Sequence, residues 1–335
     1  MFESQEFLPQ SVIARLTEKR VHDPDFTFRI AKERVRRERL APAGRLHLVA
    51  ADHLACRVCD VGDEPLGMAD RRDYLARILR ALMSDAVDGV VATMDVLEDL
   101  LCIDGFLRSK RRPLLDGKLL IASLNRSGLA GASWEISDAI TGPTPATCAY
   151  WYLDAVKMLL RIADSDSGSH KTMIECSQAI AQANSLRLPT ILEVLPVVRS
   201  EEGWSVVQTP RALAKAAGVA SAIGDSSRYL WLNLPYCEGY ETVARATTLP
   251  ILVLGGEFVG HAEMYLHQLN TSLSGGANVR GVLAGRNILY PGQEDPLAVA
   301  TAAGRIVHGH WPVAQALQAL ENHSRPDMDR ITKYL

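Results

Sequence analysis

Between residues 45 and 310 the chain repeats one pattern eight times: a short apolar run, then a longer stretch whose apolar residues recur at helical spacing. The runs are RLHLVAA (45–51), VDGVVAT (87–93), KLLIASL (118–124), DAVKMLLRI (154–162), PTILEVL (189–195), YLWLNLP (229–235), PILVLGG (250–256) and VRGVLAG (279–285). Most are dominated by Val, Ile and Leu, as expected of strands covered on both faces in a parallel sheet. Eight such units closing on themselves predict an α/β architecture, the (β/α)8 or TIM barrel. An open doubly wound sheet competes, but it is expected to carry a glycine-rich turn after its first strand, and LVAADHLACR contains no glycine.

Helices are expected over 71–84, 170–186, 210–223, 238–247, 260–273 and 295–307. Ser169 is a candidate N-cap, and Thr209-Pro210 and Asp295-Pro296 each pair a cap with proline at the first helical position. Residues 1–44 read as an N-terminal helical extension in two pieces. Its basic stretch AKERVRRERL (31–40) is expected to be a solvated or subunit-contacting helix, because glutamates interrupt the positive charge. The catalytic barrel domain is expected over 45–310, and a tail over 311–335 holds one more helix, PVAQALQALENH.

A formal net charge of −3 gives no global attraction to nucleic acid or to a membrane surface, so neither is an expected partner. No apolar stretch reaches the ~18 residues needed to cross a bilayer. The start, MFESQEFLPQ, has neither a basic nor an apolar leader region, and a cytoplasmic location is expected. The six cysteines lack the density of a disulfide scaffold and are expected as free thiols. CRVC (56–59) has redox or zinc spacing, but a zinc site needs a second ligand pair that the chain does not supply; no metal and no cofactor is expected. A homo-oligomer is expected, with the N-terminal helices covering the barrel flank or a neighbouring subunit.

In a barrel the reacting groups lie at the C-terminal ends of the strands. Asp52 and His53 follow the first run; Lys157 and Arg161 share one face of the fourth by the strand period of two; Glu193 lies in the fifth and Asn233 in the sixth. The seventh and eighth end in Gly255-Gly256 and Gly285-Arg286-Asn287. Glycines there let backbone amides approach an anion, and Arg286 offers a charge-assisted fork for phosphate oxygens, although a glycine pair can equally be a tight turn. Asp52 and Glu193 are either salt-bridge partners or a general acid and base.

A lysine inside an apolar run is costly, and a neighbouring cation such as Arg161 lowers its pKa and makes it a nucleophile toward a carbonyl carbon. Of the eight lysines, Lys118 opens the third run and faces the opposite barrel end, and six others lie on helices, loops or tails. If an imine forms, Lys157 is the candidate.

DAVKMLLRI, a Ser/Asp-rich loop, a helix and LPTILEVLP together resemble the fourth and fifth strands of the tagatose-bisphosphate aldolase family. LPYCEGYETVARATTLPILVLGG and GVLAGRNILYPGQEDPLAVATAAGRIVHG resemble the last three βα units of bacterial and archaeal class I fructose-bisphosphate aldolases, within the wider deoxyribose-phosphate aldolase superfamily. VAADH is similar to the first-strand aspartate motif of both. The resemblance implies an acid/base or hydroxyl-binding role for Asp52, active-site roles for Lys157 and Glu193, and phosphate binding at Gly255, Gly256, Gly285 and Arg286. It implies a phosphorylated sugar as substrate.

One departure bears on the chemistry: the family's imine-forming lysine matches Asn233 in LNLPY, and an amide cannot form a Schiff base. Either the amine has moved to Lys157, as related transaldolases show the barrel can accommodate, or Lys157 acts electrostatically on a phosphate or enolate. The pattern also resembles aldolase-like proteins associated with inositol catabolism. That likeness implies cleavage of 6-phospho-5-dehydro-2-deoxy-gluconate, with Asn233 on a substrate hydroxyl; a phosphosugar isomerase and a non-catalytic phosphosugar-binding relative are the alternatives.

Overall fold

The computed structural model describes residues 2–126, 128–201, 203–256, 261–323, 328–329 and 331–335. Its strands are β1 (Leu46–Ala51), β2 (Gly89–Ala92), β3 (Leu119–Ser123), β4 (Ala155–Ile162), β5 (Thr190–Ser200), β6 (Gly203–Val206), β7 (Leu230–Pro235), β8 (Ile251–Leu254) and β9 (Val279–Ala284). They follow the order β4-β3-β2-β1-β9-β8-β7-β5-β6, and a further β4–β5 pairing closes the circle. Eight of them are parallel and form the barrel; β6 pairs antiparallel with the far end of β5. Each apolar run predicted from the sequence coincides with one barrel strand, β5 continuing beyond its run to Ser200. The β5–β6 hairpin was not predicted, because RSEEGWSVV carries charges where a barrel strand would be apolar.

The helices are α1 (Ser4–Phe7), α2 (Gln10–His22), α3 (Phe26–Glu33), α4 (Arg71–Leu82), α5 (Met94–Arg108), α6 (Pro145–Tyr150) and α7 (Ser167–Ser185). They continue as α8 (Pro210–Ser221), α9 (Tyr240–Ala244), α10 (Ala262–Leu273), α11 (Arg286–Leu289), α12 (Pro296–Gly309) and α13 (Val313–Glu321). Gly260, where a helix start was expected, lies outside the described residues. Thr209 and Asp295 cap α8 and α12 through their side chains, as their sequence context predicts. Ser169 is not a cap: Asp166 takes that place and accepts from the Gly168 amide at 2.7 Å, while Ser169 accepts from Ala163 N inside the loop. The expected 238–247 helix shrinks to α9, since Gly239 adopts a left-handed φ of 73° and Asn278 binds the carbonyls of Ala244 and Thr247 at the other end.

Inward-facing side chains of the strands, among them Leu46, Leu48, Val91, Ile121, Ile191, Leu252 and Leu283, fill the lower barrel, with Leu40, Ala41 and Trp231 packed against them. Outward-facing residues of the same strands join a larger core with the helices. Burial of both faces explains why the strands read as near-continuous apolar runs.

The basic stretch 31–40 is a correction. It is helical only to Glu33; beyond that it is an irregular strap across the N-terminal end of the barrel. Arg34, 4% exposed, binds Asp154 at 2.7 Å and the Lys118 carbonyl at 2.6 Å; Arg36 also reaches Asp154, and Arg37 reaches Asp88. These arginines neutralise carboxylates at the starts of the strands, Arg34 fully buried and Arg36 still partly open to solvent.

Arg80 on α4 and Asp295 ahead of α12 form a bidentate pair, 2.9 and 2.7 Å, with side chains 0% and 1% exposed. Removing one partner strands the other charge in apolar surroundings. Asp295→Asn keeps the helix cap but is expected to cost about 3–5 kcal/mol in urea unfolding, whereas Arg80→Met with Asp295→Leu should lose markedly less. A nearly neutral Asp295→Asn beside a larger loss in the double variant would show that the cap, and not the charge, carries the stability.

Candidate active site

Above the apolar floor of the barrel the same inward faces turn polar. Strand register sets Ser123 beside Lys157, and Glu193 beside Asn233. Asp52 follows β1 directly. Lys157 Nζ lies 2.9 Å from Asp52 Oδ2 and 2.9 Å from Glu193 Oε2. Ser123 Oγ donates to Asp52 Oδ2 at 2.5 Å, and Asn233 Nδ2 donates to Glu193 Oε2 at 3.2 Å. All five are buried. The expected convergence of Asp52, Lys157, Glu193 and Asn233 is therefore met in space.

The electrostatics differ from expectation. Burial by itself would push the Lys157 amine down, but the two carboxylates outweigh it and hold the ammonium above its ordinary pKa. Burial likewise opposes ionisation of Asp52, yet the Lys157 charge, the His53 ring and the Ser123 hydroxyl together keep its carboxyl below the usual aspartate value. Arg161 does not act on the amine as a neighbouring cation. It is drawn aside to Glu135 at 2.5 Å, a partner from the loop after β3 that is remote in sequence. A resting Lys157 is thus a charged group with two proton acceptors in contact.

Ser123, Asn125 and Glu135 were not singled out from the sequence. Ser123 and Asn125 have the same signature as Asp52, a polar side chain at the end of an apolar run. Asn125 clips β3 to β4, donating to the Leu159 carbonyl at 2.9 Å and accepting from the Leu159 amide at 2.8 Å. Above Lys157, on the β4, β5 and β8 side, Leu159, Leu195, Val197, Ile136 and Ala163 form an apolar cluster with Trp204 and Leu254 packed against it. Toward β1–β3 a cavity of about 580 Å³ opens beside Asp52 and Ser123.

His53, Gly285 and Arg286 form a second corner. A Cβ on Gly285 would lie 2.2 Å from the His53 ring, so only glycine lets the imidazole pack there. Burial lowers the His53 pKa to about 4, with Asp52 opposing and Arg286 adding to the shift, which leaves the ring neutral at pH 7. His53 Nδ1 and Arg286 Nε are buried without a partner among the described residues, while Arg286 Nη1 reaches Asp60 at 3.3 Å. Unsatisfied nitrogens beside a guanidinium suit an anion.

Gly255 corrects one expectation. Its amide donates to the Leu283 carbonyl at 2.9 Å, so it is not free for phosphate, and a Cβ there would strike Ala284. Gly256 follows at a left-handed φ of 71° with open space around it. The CRVC thiols are free; burial pushes Cys56 up to about 12, and its Sγ donates to the Arg126 carbonyl. Among the described residues no cluster of three or more His, Cys, Asp or Glu is placed to hold a metal. No described helix is long and apolar enough to cross a membrane.

Lys157→Met would leave two carboxylates facing each other in a closed space. The variant is expected to be about 3–5 kcal/mol less stable at pH 8 by urea unfolding. The deficit should shrink toward pH 5, because one carboxyl can then take up a proton, which the unfolded chain does only at lower pH. A deficit independent of pH would mean that Lys157 contributes packing alone.

The closed barrel has solved counterparts. The crystal structure of Cgl0159 from Corynebacterium glutamicum superposes with a TM-score of 0.84 at 33% identity, covering 91% of this chain and 99% of that one. An archaeal fructose 1,6-bisphosphate aldolase gives 0.60 at 21% identity over 84% of this chain and 99% of that one. Fructose-bisphosphate aldolase from Slackia heliotrinireducens gives 0.63 at 16% identity over 95% and 94%. With these two aldolases the shared feature is the fold. The 2-amino-3,7-dideoxy-D-threo-hept-6-ulosonate synthase 1 of Archaeoglobus fulgidus is 30% identical over 87 residues, 26% of this chain and 32% of that protein, so the match spans about a third of its length. Residues 44–304 match the Cgl0159-like family as a whole, and the protein belongs to that family.

Proposed function

We propose that the protein is a class I-type aldolase, a carbon–carbon lyase that cleaves a phosphorylated keto-sugar or keto-sugar acid through an imine on Lys157. The observation that carries this reading is the Lys157 amine in contact with both Asp52 and Glu193 inside the barrel mouth. The barrel shared with fructose-bisphosphate aldolases supports it.

In this reading the ammonium passes one proton to Asp52 or Glu193, and the freed nitrogen attacks the substrate ketone. The resulting alkoxide takes up a proton while the attacking nitrogen, now positively charged, gives one up to a carboxylate; with a further proton the hydroxyl leaves as water, giving the protonated imine. A carboxylate then removes the proton of the hydroxyl two carbons from the imine. The carbon–carbon bond breaks, an aldehyde forms, and the electron pair moves to the imine to leave an enamine. Protonation of the enamine carbon and addition of water release the ketone and restore the amine. Asn233, whose Oδ1 has no partner among the described residues, holds a substrate hydroxyl, and Arg286 with His53, Gly256 and Gly285 receives the phosphate. The resemblance to proteins associated with inositol catabolism makes 6-phospho-5-dehydro-2-deoxy-gluconate the first substrate to assay.

A second reading follows from the raised pKa of Lys157: a charge held this firmly suits an electrostatic catalyst, a phosphosugar isomerase or epimerase in which Asp52 and Glu193 move protons beside a permanent ammonium. Borohydride reduction in the presence of candidate ketose phosphates, followed by peptide mass mapping, separates the two. An adduct on Lys157, with turnover falling at least about 10²-fold in Lys157→Ala, is expected for the aldolase. Turnover without an adduct, lost in Glu193→Gln, would establish the isomerase. Saturable binding with no turnover would reduce the protein to a phosphosugar-binding relative.

A further inference from the structure

Arg34, Arg36 and Arg37 are matched to carboxylates, but a second set of arginines at the same end of the barrel is not. Arg45 precedes β1 and Arg280 lies at the start of β9, each one residue before the Leu46–Gly281 pair of the β1–β9 ladder. Their Cα atoms therefore stand one strand spacing apart, about 4.8 Å. Arg280 Nη1 lies 3.8 Å from where a Cβ on Gly44 would sit, which keeps its guanidinium beside the Arg45 backbone. Arg45 Nη1 donates to the Val307 carbonyl at 3.0 Å, and neither arginine forms an ion pair among the described residues. Burial and the Arg280 charge both press the Arg45 guanidinium below its ordinary pKa. Like charges side by side on neighbouring strands destabilise a sheet, and departures of this kind are expected where a ligand binds.

Arg280 also lines a cavity of about 620 Å³ between the end of α9 and the loop into β9, with Arg245, Thr248 and Gly276 on the same wall. Among the described residues no carboxylate lines it. Glu241, one turn before Arg245, turns its carboxyl back along α9: its Oε1 lies 3.7 Å from where a Cβ on Gly239 would sit. The walls are held in place. Asn278 Nδ2 donates to the carbonyls of Ala244, Thr247 and Leu249 at 3.0, 2.9 and 3.3 Å, and a Cβ on Gly276 would lie 2.7 Å from the Ala244 Cβ. The amides of Gly276 and Ala277 donate to no described residue. A fixed hollow with two guanidiniums, a hydroxyl and uncommitted amides suits an anion. The neighbouring cavity of about 500 Å³ on the Arg45 side is lined by Asp85 and Asp88, so an anion belongs on the Arg280 side.

We propose that this hollow at the N-terminal end of the barrel is a binding site for a diphosphate group, held by Arg280 and Arg245 with Arg45 beside them. A single phosphate takes one bidentate fork; three cations without a carboxylate leave charge over, and two linked phosphoryl groups neutralise it. The site lies at the opposite end of the barrel from Lys157 and does not depend on the chemistry of that lysine. Free pyrophosphate and a nucleoside diphosphate share the required group.

The test is calorimetric titration of pyrophosphate, ADP and inorganic phosphate into wild type, Arg280→Gln, Arg245→Gln and Arg286→Gln, with thermal unfolding of each ligand-free protein. Pyrophosphate is expected to bind wild type and Arg286→Gln alike, and inorganic phosphate to bind about tenfold more weakly, the worth of one charge-assisted contact. Arg280→Gln and Arg245→Gln should each lose about tenfold in pyrophosphate affinity. Removing Arg280 relieves its repulsion with Arg45, so that variant should unfold at the wild-type temperature or above it, which loss of a structural arginine would not allow. ADP binding more tightly than pyrophosphate identifies a nucleotide as the source of the group; ADP binding no more tightly identifies free diphosphate. The proposal is overturned by absence of saturable pyrophosphate binding, by its loss in Arg286→Gln, or by unchanged affinity in both Arg280→Gln and Arg245→Gln. Inorganic phosphate binding as tightly as pyrophosphate, or a lowered unfolding temperature for Arg280→Gln, overturns it equally.

Discussion

One buried ammonium organises the functional end of this barrel. Lys157 sits on an apolar strand, and its charge is tolerable there only because Asp52 and Glu193 arrive from β1 and β5 to meet it at 2.9 Å each. Those positions are not adjacent in sequence; they are brought together by closure of the sheet through the β4–β5 pairing. Closing the barrel in another register would leave one lysine and two carboxylates desolvated and unmatched. The polar layer is therefore both a site for chemistry and a reason for the sheet to close in this register.

The opposite end of the barrel solves the same problem without chemistry. Asp88 and Asp154 lie at the starts of strands, and the strap carrying Arg34, Arg36 and Arg37 crosses beneath them. Burial opposes ionisation of Asp88, but hydrogen bonds from His308, the His47 amide and Arg37 hold its carboxyl down to about 2. Carboxylates at both ends are buried and paired. What separates them is the partner: arginine at the bottom, which keeps its proton, and lysine at the top, which can transfer one.

The architecture was legible because burial on both faces of a parallel strand writes an uninterrupted apolar run, and eight runs separated by helical spacing allow few arrangements. The convergence of Asp52, Lys157, Glu193 and Asn233 was legible for a related reason: polar residues late in apolar strands must point into the barrel or break its packing. Charge states were not. Arg161 shares a face with Lys157 in sequence, but Glu135 claims it from a loop that no periodicity locates. Gly255 reads as an anion-binding amide, yet its N–H belongs to the strand ladder. The basic 31–40 stretch looked like a solvated helix because its acidic partners lie about 50 and 120 residues further on. Pairings between residues distant in sequence decide which charges are free, and these appear only once the chain is folded.

The free charges, in turn, define the direction of the site. Two arginines near the mouth are committed: Arg71 to Asp95 and Asp99, Arg161 to Glu135. Among the described residues, Arg286 keeps a weaker contact with Asp60 and an unsatisfied Nε, and Arg126 Nε donates to the Thr141 hydroxyl. Arg286 thus stands as an under-matched guanidinium at the same end of the barrel as a lysine whose own charge is met by two carboxylates, with an apolar cluster above that lysine. Which charges at the mouth stay under-matched is decided by the whole pattern of pairings rather than by any one residue.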